Sequence, residues 1–540
     1  MSFQEHVQAR AYDRRWLVLA VLCMGLFVIV LDNSILNVAL PTLVRDLDAT
    51  NSQLQWFIDA YTLVFAGLLL TAGSLGDRFG RRGALQIGFL VFGIGSLLSA
   101  MAGSPHQLIA ARAFMGIGGA FIMPATLSII TNLFPSNERG KAIGIWAGAA
   151  GLGVLGPLVG GLLLDHYYWG SVFLVNVPVV VVGLIAGIVL IPTSKDPSVP
   201  RLDPIGAILS IAGLTALLYA IIEAPEDGWT DGPILLAFVV GGALLTGFLL
   251  WEAHSTHPML NLGFFKNPRF SAASASVTLI FFAMFGSIFL FTQYFQFVLG
   301  YSALGTGVRL LPWAIIIMTL SPISPRLAHR FGTKALVAVG LGCMGVGLLL
   351  MTGVDANSSY ADILWRIVIM AAGMGFTMAP ATESIMGSLP LAKAGVGSAV
   401  NDTTRQVGGA LGVAICGSVA SSIYGSKVGD AIANAPVTPP ADVVTEIKNS
   451  LGAALAISER FGTPELATAA ENGFVDGMHG GVIVAGGMAL VGVVVAILFL
   501  PGQARPQDIA AREAEFAART GGAAESGTAS GPTPSTARRS

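Results

Sequence analysis

Three ionisable residues lie inside otherwise apolar stretches near the start of the chain. Asp32 lies in the apolar segment 16–40, and Asp59 and Arg112 lie in the second and fourth such segments. An ionisable group inside a segment of this length is costly to bury and marks a functional site by default. With a helical rise of about 1.5 Å per residue, all three lie roughly 8 to 12 Å below the outer surface. We therefore expect them to meet and to handle protons or ions.

Two carboxylates and one guanidinium at a shared depth are suited to reversible proton binding. Burial opposes the ionisation of a carboxylate, whereas a nearby guanidinium favours it. Arginine does not release its proton, so the expected role of Arg112 is to stabilise the deprotonated state of Asp32 or Asp59. A static ion pair that ties helices together is the alternative for both aspartates. No histidine lies in the interior of an apolar segment, so carboxylates are the expected proton carriers.

A second charged group lies in the C-terminal part of the chain. Glu383, Asp402 and Arg405 have similar depths in two successive apolar segments. They indicate a site for a substrate cation or a second proton relay, and a plain interhelical hydrogen-bonding role for Asp402 is equally open. Other side chains are candidates to line a cavity for flat lipophilic cations, although ordinary packing is the alternative for each. These candidates are Tyr61, Phe121, Met123, Trp146, Phe291, Tyr294 and Trp313.

The composition shows which elements must position these residues. Hydrophobic residues make up 54% of the 540 residues and charged residues only 11%, whereas about a quarter of a soluble domain is charged. Fourteen apolar segments, from 16–40 to 478–500, have the length of about 20 residues that a spanning helix needs. The sequence predicts an all-α polytopic membrane protein in a lipid bilayer. It indicates no disulfide framework, no metal site and no cofactor.

The basic residues predict how the chain sits in the bilayer. The loops predicted to face the cytosol, together with both termini, contain 21 lysines and arginines, whereas the opposite loops contain 4. Basic residues are enriched on the cytoplasmic side of membrane proteins. We therefore expect a multi-pass protein of the inner (plasma) membrane with both termini in the cytosol.

A short motif occurs twice. Gly-Ser-Leu-Gly-Asp-Arg-Phe-Gly-Arg-Arg at 73–82 is matched by Pro-Arg-Leu-Ala-His-Arg-Phe-Gly-Thr-Lys at 325–334, each after the second span of a six-span block. A chance match of two basic turns is the alternative, but duplicated halves around a midplane site are typical of secondary carriers. The predicted divisions are a cytosolic N-terminus at 1–15, six-helix bundles at 16–191 and 261–500, an inserted helix pair at 192–260, an outer loop with surface helices at 422–477 and a disordered cytosolic tail at 501–540.

Four motifs resemble those of the major facilitator superfamily, specifically its fourteen-span drug:proton antiporters, and the likeness covers nearly all of the chain. The first-span signature is at 31–41, the conformational loop at 73–82, the fourth-span arginine motif at 108–119 and the fifth-span antiporter motif at 156–161. The resemblance implies a major facilitator fold that works by alternating access.

The resemblance also implies roles for single residues. Asp77 and Arg81 are expected to latch the halves in the outward-facing state, together with Gly73, Arg78 and Gly80. In the antiporter motif, Gly156 and Pro157 either bend the fifth span or form a packing seam, and packing is one explanation for Gly160 and Gly161. Two departures stand out. Leu152 replaces a motif glycine, and the tenth span contains no carboxylate at 311–320, which argues against polyvalent cations.

These features predict a proton-coupled exporter of lipophilic, cationic drugs that functions as a monomer, is not an enzyme and binds no nucleic acid. Export of an endogenous lipid, peptide or siderophore, with drugs as incidental substrates, is the alternative. An intramembrane aspartyl protease requires Gly-x-Gly-Asp and a Tyr-Asp pair inside spans, and neither occurs there. An ATP-driven pump requires Gly-x-x-x-x-Gly-Lys-Ser/Thr, which is also absent.

Overall fold

The computed structural model describes residues 12–47, 51–195, 203–255, 258–433 and 440–502. Within these residues, fourteen helices are long and apolar enough to cross a bilayer. The predicted all-α polytopic fold with fourteen spans is therefore confirmed. Most of the predicted N-terminal and C-terminal cytosolic segments lies outside the described residues. We call the end of the molecule that holds the 73–82 turn the inner end, after the predicted sidedness.

Six spans form the N-terminal bundle, and its last two are interrupted helices. In the fifth span, a 3-10 turn at Ala150–Val154 separates two α-helices. In the sixth, a short first helix meets the main helix at Val175. The bounds are α1 Arg15–Leu47, α2 Asn51–Phe79, α3 Arg81–Ala100, α4 Pro105–Leu133, α5 Ser136–Ala149, α6 Leu155–His166, α7 Ser171–Leu174 and α8 Asn176–Leu190.

The C-terminal bundle follows the inserted helix pair, which is α9 Pro204–Asp227 and α10 Gly232–His254. A π-turn extends its first helix at Tyr294–Val298, and two short helices, α16 and α17, precede its last span. The bounds are α11 Pro268–Gln293, α12 Ala303–Phe331, α13 Thr333–Leu350, α14 Tyr360–Gly387, α15 Ala394–Ala433, α16 Ala441–Asn449, α17 Leu451–Phe461 and α18 Pro464–Phe499.

The short helices of the outer loop are packed onto the bundle. The hydroxyl of Tyr424 in α15 donates to the carbonyl of Ile447 in α16 at 2.9 Å, and the side chain of Ile447 is fully buried. The expected surface helices are therefore present within the described part of the outer loop, which excludes 434–439.

The inserted helix pair fills a groove between the two bundles. Leu218 of α9 packs in one small apolar cluster with Ala66 of α2 and Ala410 of α15. The indole Nε1 of Trp229, in the turn between α9 and α10, donates to Ser418 Oγ of α15 at 2.8 Å. The pair thus contacts both bundles rather than standing apart in the lipid.

The repeated motif folds into the same turn in both bundles. Gly80 and Gly332 have φ of 121° and 90°, a backbone conformation that favours glycine. In the N-terminal bundle, the N–H of Arg81 donates to the carbonyl of Ser194 at 2.9 Å, and in the C-terminal bundle the N–H of Thr333 donates to the carbonyl of Gly502 at 2.9 Å. Each carbonyl lies just after the sixth span of its own bundle, so the repeat extends to the tertiary contacts of the turn.

Candidate functional site

Asp32 and Arg112 form an ion pair in the core of the N-terminal bundle. Arg112 Nη1 on α4 donates to Oδ2 of Asp32 on α1, and neither side chain has exposed surface. Asn176, the first residue of α8, donates its side-chain amide to Asp32 Oδ1 at 3.0 Å. Three spans therefore meet at one carboxylate, and both of its oxygens have a partner.

The second span holds the arginine from the other side. Arg112 Nε donates to the backbone carbonyl of Phe57 on α2 at 2.8 Å, and the guanidinium lies 4.5 Å from the centroid of the Tyr61 ring. A buried ion pair is tolerated only when further hydrogen bonds satisfy its groups. A proton added to Asp32 removes the attraction to Arg112, so protonation at this site changes the contacts among α1, α2, α4 and α8.

Asp59 lies half-buried on α2, between Phe57 and Tyr61 in sequence. Residues two apart on a helix do not face each other, so Asp59 and Tyr61 lie on different faces of α2. The contacts from α2 to Arg112 described above come from Phe57 and Tyr61. A part for Asp59 in proton coupling stays a prediction.

A second buried ion pair lies in the C-terminal bundle, within one helix. Arg405 Nη1 and Asp402 Oδ1 of α15 are 3.7 Å apart, with 6% and 1% of the two side chains exposed. The amide of Asn401 donates to Asp402 Oδ1 at 3.2 Å, and Arg405 Nη2 donates to Thr382 Oγ1 of α14 at 3.0 Å. The two charges are neighbours along α15, so only the Thr382 bond ties this pair to another span.

Aromatic rings from both bundles cover Arg405. Its guanidinium lies 5.1 Å from the centroid of a Trp146 ring and 5.3 Å from that of Phe281. Trp146 is fully buried on α5 of the N-terminal bundle, so this cluster lies where the bundles meet. Three buried atoms have no hydrogen-bond partner in the described structure: Asp402 Oδ2, Arg405 Nε and Trp146 Nε1. An unsatisfied buried polar group is costly, so the cluster has one acceptor and two donors to offer a further group.

The other predicted cavity residues have different surroundings. Tyr61 belongs to the Arg112 site, where its ring stacks on Phe65 at 5.7 Å. Tyr294 lies at the outer end of α11, and its hydroxyl donates to the carbonyl of Asp355 at 2.5 Å. The remaining four pack in or against the apolar core: Phe121, Met123, Phe291 and Trp313. Of the seven aromatic and methionine candidates, only Trp146 is brought to Arg405 by the contacts that the structure describes.

At the inner end, Asp77 of the repeated motif joins the two bundles. Arg81 donates to Asp77 Oδ1 through Nε at 2.8 Å and through Nη2 at 2.6 Å. The same carboxylate accepts the backbone N–H groups of Gly395 at 2.9 Å and Val396 at 3.1 Å. These are the second and third residues of α15, where unpaired N–H groups favour an anion. Asp77 therefore caps a helix of the opposite bundle.

Arg81 reinforces this junction, which we call the first seam. Its Nη2 also donates to the carbonyls of Leu391 and Ala392 in the C-terminal bundle, at 3.0 and 2.9 Å. A Cβ built on Gly73 would lie 2.6 Å from the carbonyl oxygen of Gly395, so only glycine allows this approach. Arg78 is half-buried and its guanidinium lies 5.3 Å from the Phe79 ring centroid, beside the junction rather than in its hydrogen-bond network with α15.

Glu383 lies at a second seam between the bundles. A Cβ built on Gly140 of α5 would lie 2.5 Å from Glu383 Oε2 and 2.8 Å from Cβ of Pro325 in α12. Glu383 directly follows Thr382, which binds Arg405, but successive residues of an α-helix point about 100° apart. Its carboxylate therefore lies against α5, whereas the side chain of Thr382 meets Arg405.

The antiporter motif lies just after the interruption of the fifth span. The helix is broken at Ala150–Val154, before the glycine and proline of the motif. Gly156 is packed so closely on Ser34 of α1 that a Cβ would clash, whereas a Cβ on Gly161 would meet nothing within 4 Å. Gly160 is buried, and the side chain of Pro157 lies outside the described residues. Packing accounts for Gly156 and does not account for Gly161.

The fold and these motifs together agree with one family of carriers. Residues 22–413 match the family described as the Major Facilitator Superfamily, and this range contains both ion pairs and both seams. The chain belongs to the Major Facilitator Superfamily.

Similar members of the superfamily include named export proteins. The chain is 38% identical over 424 residues to the multidrug efflux pump LfrA of Mycolicibacterium smegmatis, covering 78% of this chain and 83% of that protein. It is 31% identical over 518 residues to the tetracenomycin C resistance and export protein of Streptomyces glaucescens, covering 94% and 96%. The human organic anion transporter MFSD10 has a similar fold, with a TM-score of 0.59 at 13% identity, covering 89% of this chain and 98% of that chain.

Sequence reasoning missed Asn176 and the glycines of the second seam, although the sequence carried signals for both. Asn176 is a polar amide in an apolar stretch, and a buried amide needs a partner for the same reason as a buried carboxylate. Gly140, Gly144 and Gly148 recur every four residues, the small-residue spacing that lets superfamily helices approach closely.

Proposed function

We propose that this protein is a proton-coupled antiporter that exports lipophilic, cationic drugs and related compounds across the plasma membrane by alternating access. The observation that carries the proposal is the fully buried Asp32–Arg112 ion pair, which links the first, second, fourth and sixth spans. An ionisable group sealed inside a membrane bundle is a functional site by default. The names of the relatives, which describe drug and antibiotic export, support the direction of transport.

Protonation of Asp32 is the proposed coupling event. In the ionised state, Asp32 holds Arg112 and Asn176, and the four spans are tied together. In the protonated state, the charge of Arg112 has no counter-ion at this place, so the helices favour a different packing. One proton moving down a membrane potential of 100 mV supplies about 2.3 kcal/mol, enough to shift a two-state equilibrium about fiftyfold.

The Asp402–Arg405 cluster is the proposed contact for the substrate. The free acceptor of Asp402 and the rings of Trp146 and Phe281 suit a cation with a flat apolar body. Trp146 comes from the opposite bundle, so a molecule bound here contacts both halves of the carrier. A rocking motion of the bundles then changes the substrate contacts and the proton site together.

The first seam is the proposed latch of the state with the inner end closed. Separation of the bundles at this end breaks the hydrogen bonds from Gly395 and Val396 to Asp77 and those from Arg81 to Leu391 and Ala392. The latch therefore stabilises the closed inner end until substrate and proton binding favour the other state. With both termini at the inner end, as proposed from the loop charges, this is the outward-facing state.

The test uses purified carrier in proteoliposomes with a pH indicator and a lipophilic cation such as ethidium. We expect addition of substrate to release protons from the wild type and no release from the variant Asp32→Asn, because the amide carries no titratable proton. The matched control is Asp46→Asn, which changes an exposed aspartate on the same helix and should behave as the wild type.

Substrate-triggered proton release from Asp32→Asn, or transport by that variant that still follows an imposed pH gradient, would refute the coupling scheme. A carrier whose deletion strain accumulates a native lipid, peptide or siderophore, and whose proteoliposomes ignore lipophilic cations, would instead be an exporter of that metabolite.

A further inference from the structure

The second seam contains a cavity that the proposed transport cycle does not use. Its volume is about 240 Å³, and it lies between α1 and α5 of the N-terminal bundle and α12 of the C-terminal bundle. A water molecule occupies about 30 Å³ in the liquid, so the cavity has room for several groups of that size. Its charged and aromatic lining residues are Trp16, Glu138, Lys141, Arg326 and His329.

The charges around this cavity favour an anion. Glu138 is already neutralised, because Arg15 Nε and Nη2 donate to its two oxygens at 2.7 and 3.0 Å. Lys141 is half-buried, and Arg326 and His329 are exposed without an ion-pair partner in the part of the chain that the structure describes. The lining thus has two unpaired positive charges, and a third when His329 is protonated.

Groups behind the lining leave this balance unchanged. Glu383 lies against Gly140 and adds one negative charge at the buried side of the seam. Arg139, which precedes Gly140 and is 3% exposed, adds one positive charge on the same turn of α5. The excess of positive charge therefore remains at the open side of the cavity.

The repeat explains why the two seams differ in charge. His329 has the same place in the second copy of the motif as Asp77 in the first. At the first seam, Asp77 contacts the glycine at the start of the opposite helix, α15. At the second seam, Glu383 takes the place beside the corresponding glycine, Gly140. Residue 329 is thereby left to line a cavity, and it is basic where its counterpart is acidic.

The surroundings of the cavity indicate that its occupant comes from the bilayer. Trp16 is 37% exposed, and the ammonium of Lys141 lies 4.7 Å from its ring, an arrangement typical of the membrane interface. Leu17 and Ile323, next to or near lining residues in sequence, are 57% and 44% exposed, which suits contact with acyl chains. Basic pockets between spans on the cytoplasmic side bind anionic lipid headgroups.

We propose that this cavity binds the phosphate of an anionic phospholipid, with the headgroup between Lys141 of one bundle and Arg326 and His329 of the other. The acyl chains extend along the apolar surface beside Trp16. A headgroup held in this way contacts both bundles at the inner end. Free inorganic phosphate shares the headgroup chemistry but lacks the acyl chains, so the two sources are separable by experiment.

The test measures binding of phosphatidylglycerol to the purified full-length carrier by native mass spectrometry, without any transport step. We expect the double variant Lys141→Gln with Arg326→Gln to bind about 10- to 30-fold more weakly than the wild type, from about 1 kcal/mol for each basic residue near a lipid surface. The matched control, Arg330→Gln with Lys334→Gln, removes the same charge from the same end of the molecule and should bind as the wild type.

Two further measurements sharpen the result. The conservative pair Lys141→Arg with Arg326→Lys retains the charges and should keep the binding, which separates recognition from a loss of folding. Phosphatidylglycerol should raise the melting temperature of the wild type and of the control pair more than that of the glutamine pair at 141 and 326.

Equal weakening of binding in the 141/326 and 330/334 glutamine pairs would refute the site, since it would show attraction to surface charge alone. Displacement of phosphatidylglycerol by millimolar inorganic phosphate would refute the lipid as the occupant. Both outcomes leave the proton-coupling test on Asp32 untouched.

Discussion

The two buried ion pairs of this carrier differ in how completely they are satisfied. Asp32 and Arg112 come from different helices, have no exposed surface and involve both oxygens of the carboxylate. Asp402 and Arg405 share one helix, lie 3.7 Å apart and leave one oxygen of the carboxylate without a partner. The first pair holds four spans of its own bundle, whereas the second lies against an aromatic ring of the other bundle.

This difference separates two tasks that a coupled exporter must perform. A proton needs only one carboxylate and a reason for the protein to rearrange when its charge disappears, which a closed ion pair provides. A substrate needs free hydrogen-bonding groups and a surface, which an incomplete pair next to two rings provides. The duplicated halves of the chain thus use the same two residue types in arrangements suited to different partners.

Removal of the arginines gives the largest expected difference between the pairs. Arg112→Met leaves Asp32 buried without its counter-ion and should lower the free energy of unfolding by about 3 to 5 kcal/mol, with loss of transport. Arg405→Met should cost less, because its ion pair is longer and the Asn401 bond to Asp402 remains. Unfolding of the purified variants in mixed micelles measures both values. An equal or larger loss for Arg405→Met would contradict the comparison.

The amides beside the two carboxylates give the next largest expected effect. Asn176→Leu removes a hydrogen bond to a charged group that joins α8 to α1, at an expected cost of about 1.5 to 3 kcal/mol in unfolding. The counterpart, Asn401→Leu, removes a longer bond to an adjacent residue of the same helix, 3.2 Å against 3.0 Å, and should cost less. The same micelle assay compares them. If Asn401→Leu proves the more costly, the second network is not the looser one.

Replacement of the second carboxylate should change substrate preference rather than coupling. Asp402→Asn is expected to weaken export of a lipophilic cation about tenfold, or about 1.4 kcal/mol, and to leave a neutral analogue unaffected. Proton release by the remaining transport should persist, since Asp32 is intact. Asp430→Asn, an exposed aspartate on the same helix, is the control. Transport assays with a cationic and neutral pair of one scaffold decide this, and an equal loss for both compounds would assign Asp402 a structural role.

Much of the architecture follows from local sequence. Each spanning segment must be apolar and about 20 residues long because a bilayer offers no hydrogen-bond partners to the backbone, so the fourteen helices could be counted directly. Asp32 and Arg112 could be selected in the same way, since a charge in such a segment needs a compensating group. The repeat at 73–82 and 325–334 predicted the duplicated turns that Gly80 and Gly332 form.

The direction of side chains could not be predicted from the spans. Glu383 and Arg405 have similar depths, but their carboxylate and guanidinium point to different neighbours, because the rotation of a helix about its axis depends on close packing with other helices. The aromatic candidates were selected by depth alone, and tertiary packing brought Trp146 to Arg405 while it placed Tyr294 against Asp355.

The sequence by itself determined the number of spans, their predicted sidedness, the duplicated halves and the charged residues inside them, because each of these depends on transfer from water into an apolar layer. Only the tertiary structure decided which residues meet. Asn176 beside Asp32, Gly395 beside Asp77 and the cavity at His329 depend on how separate helices approach. That approach is set by the fit of many small contacts, which no single segment of the chain contains.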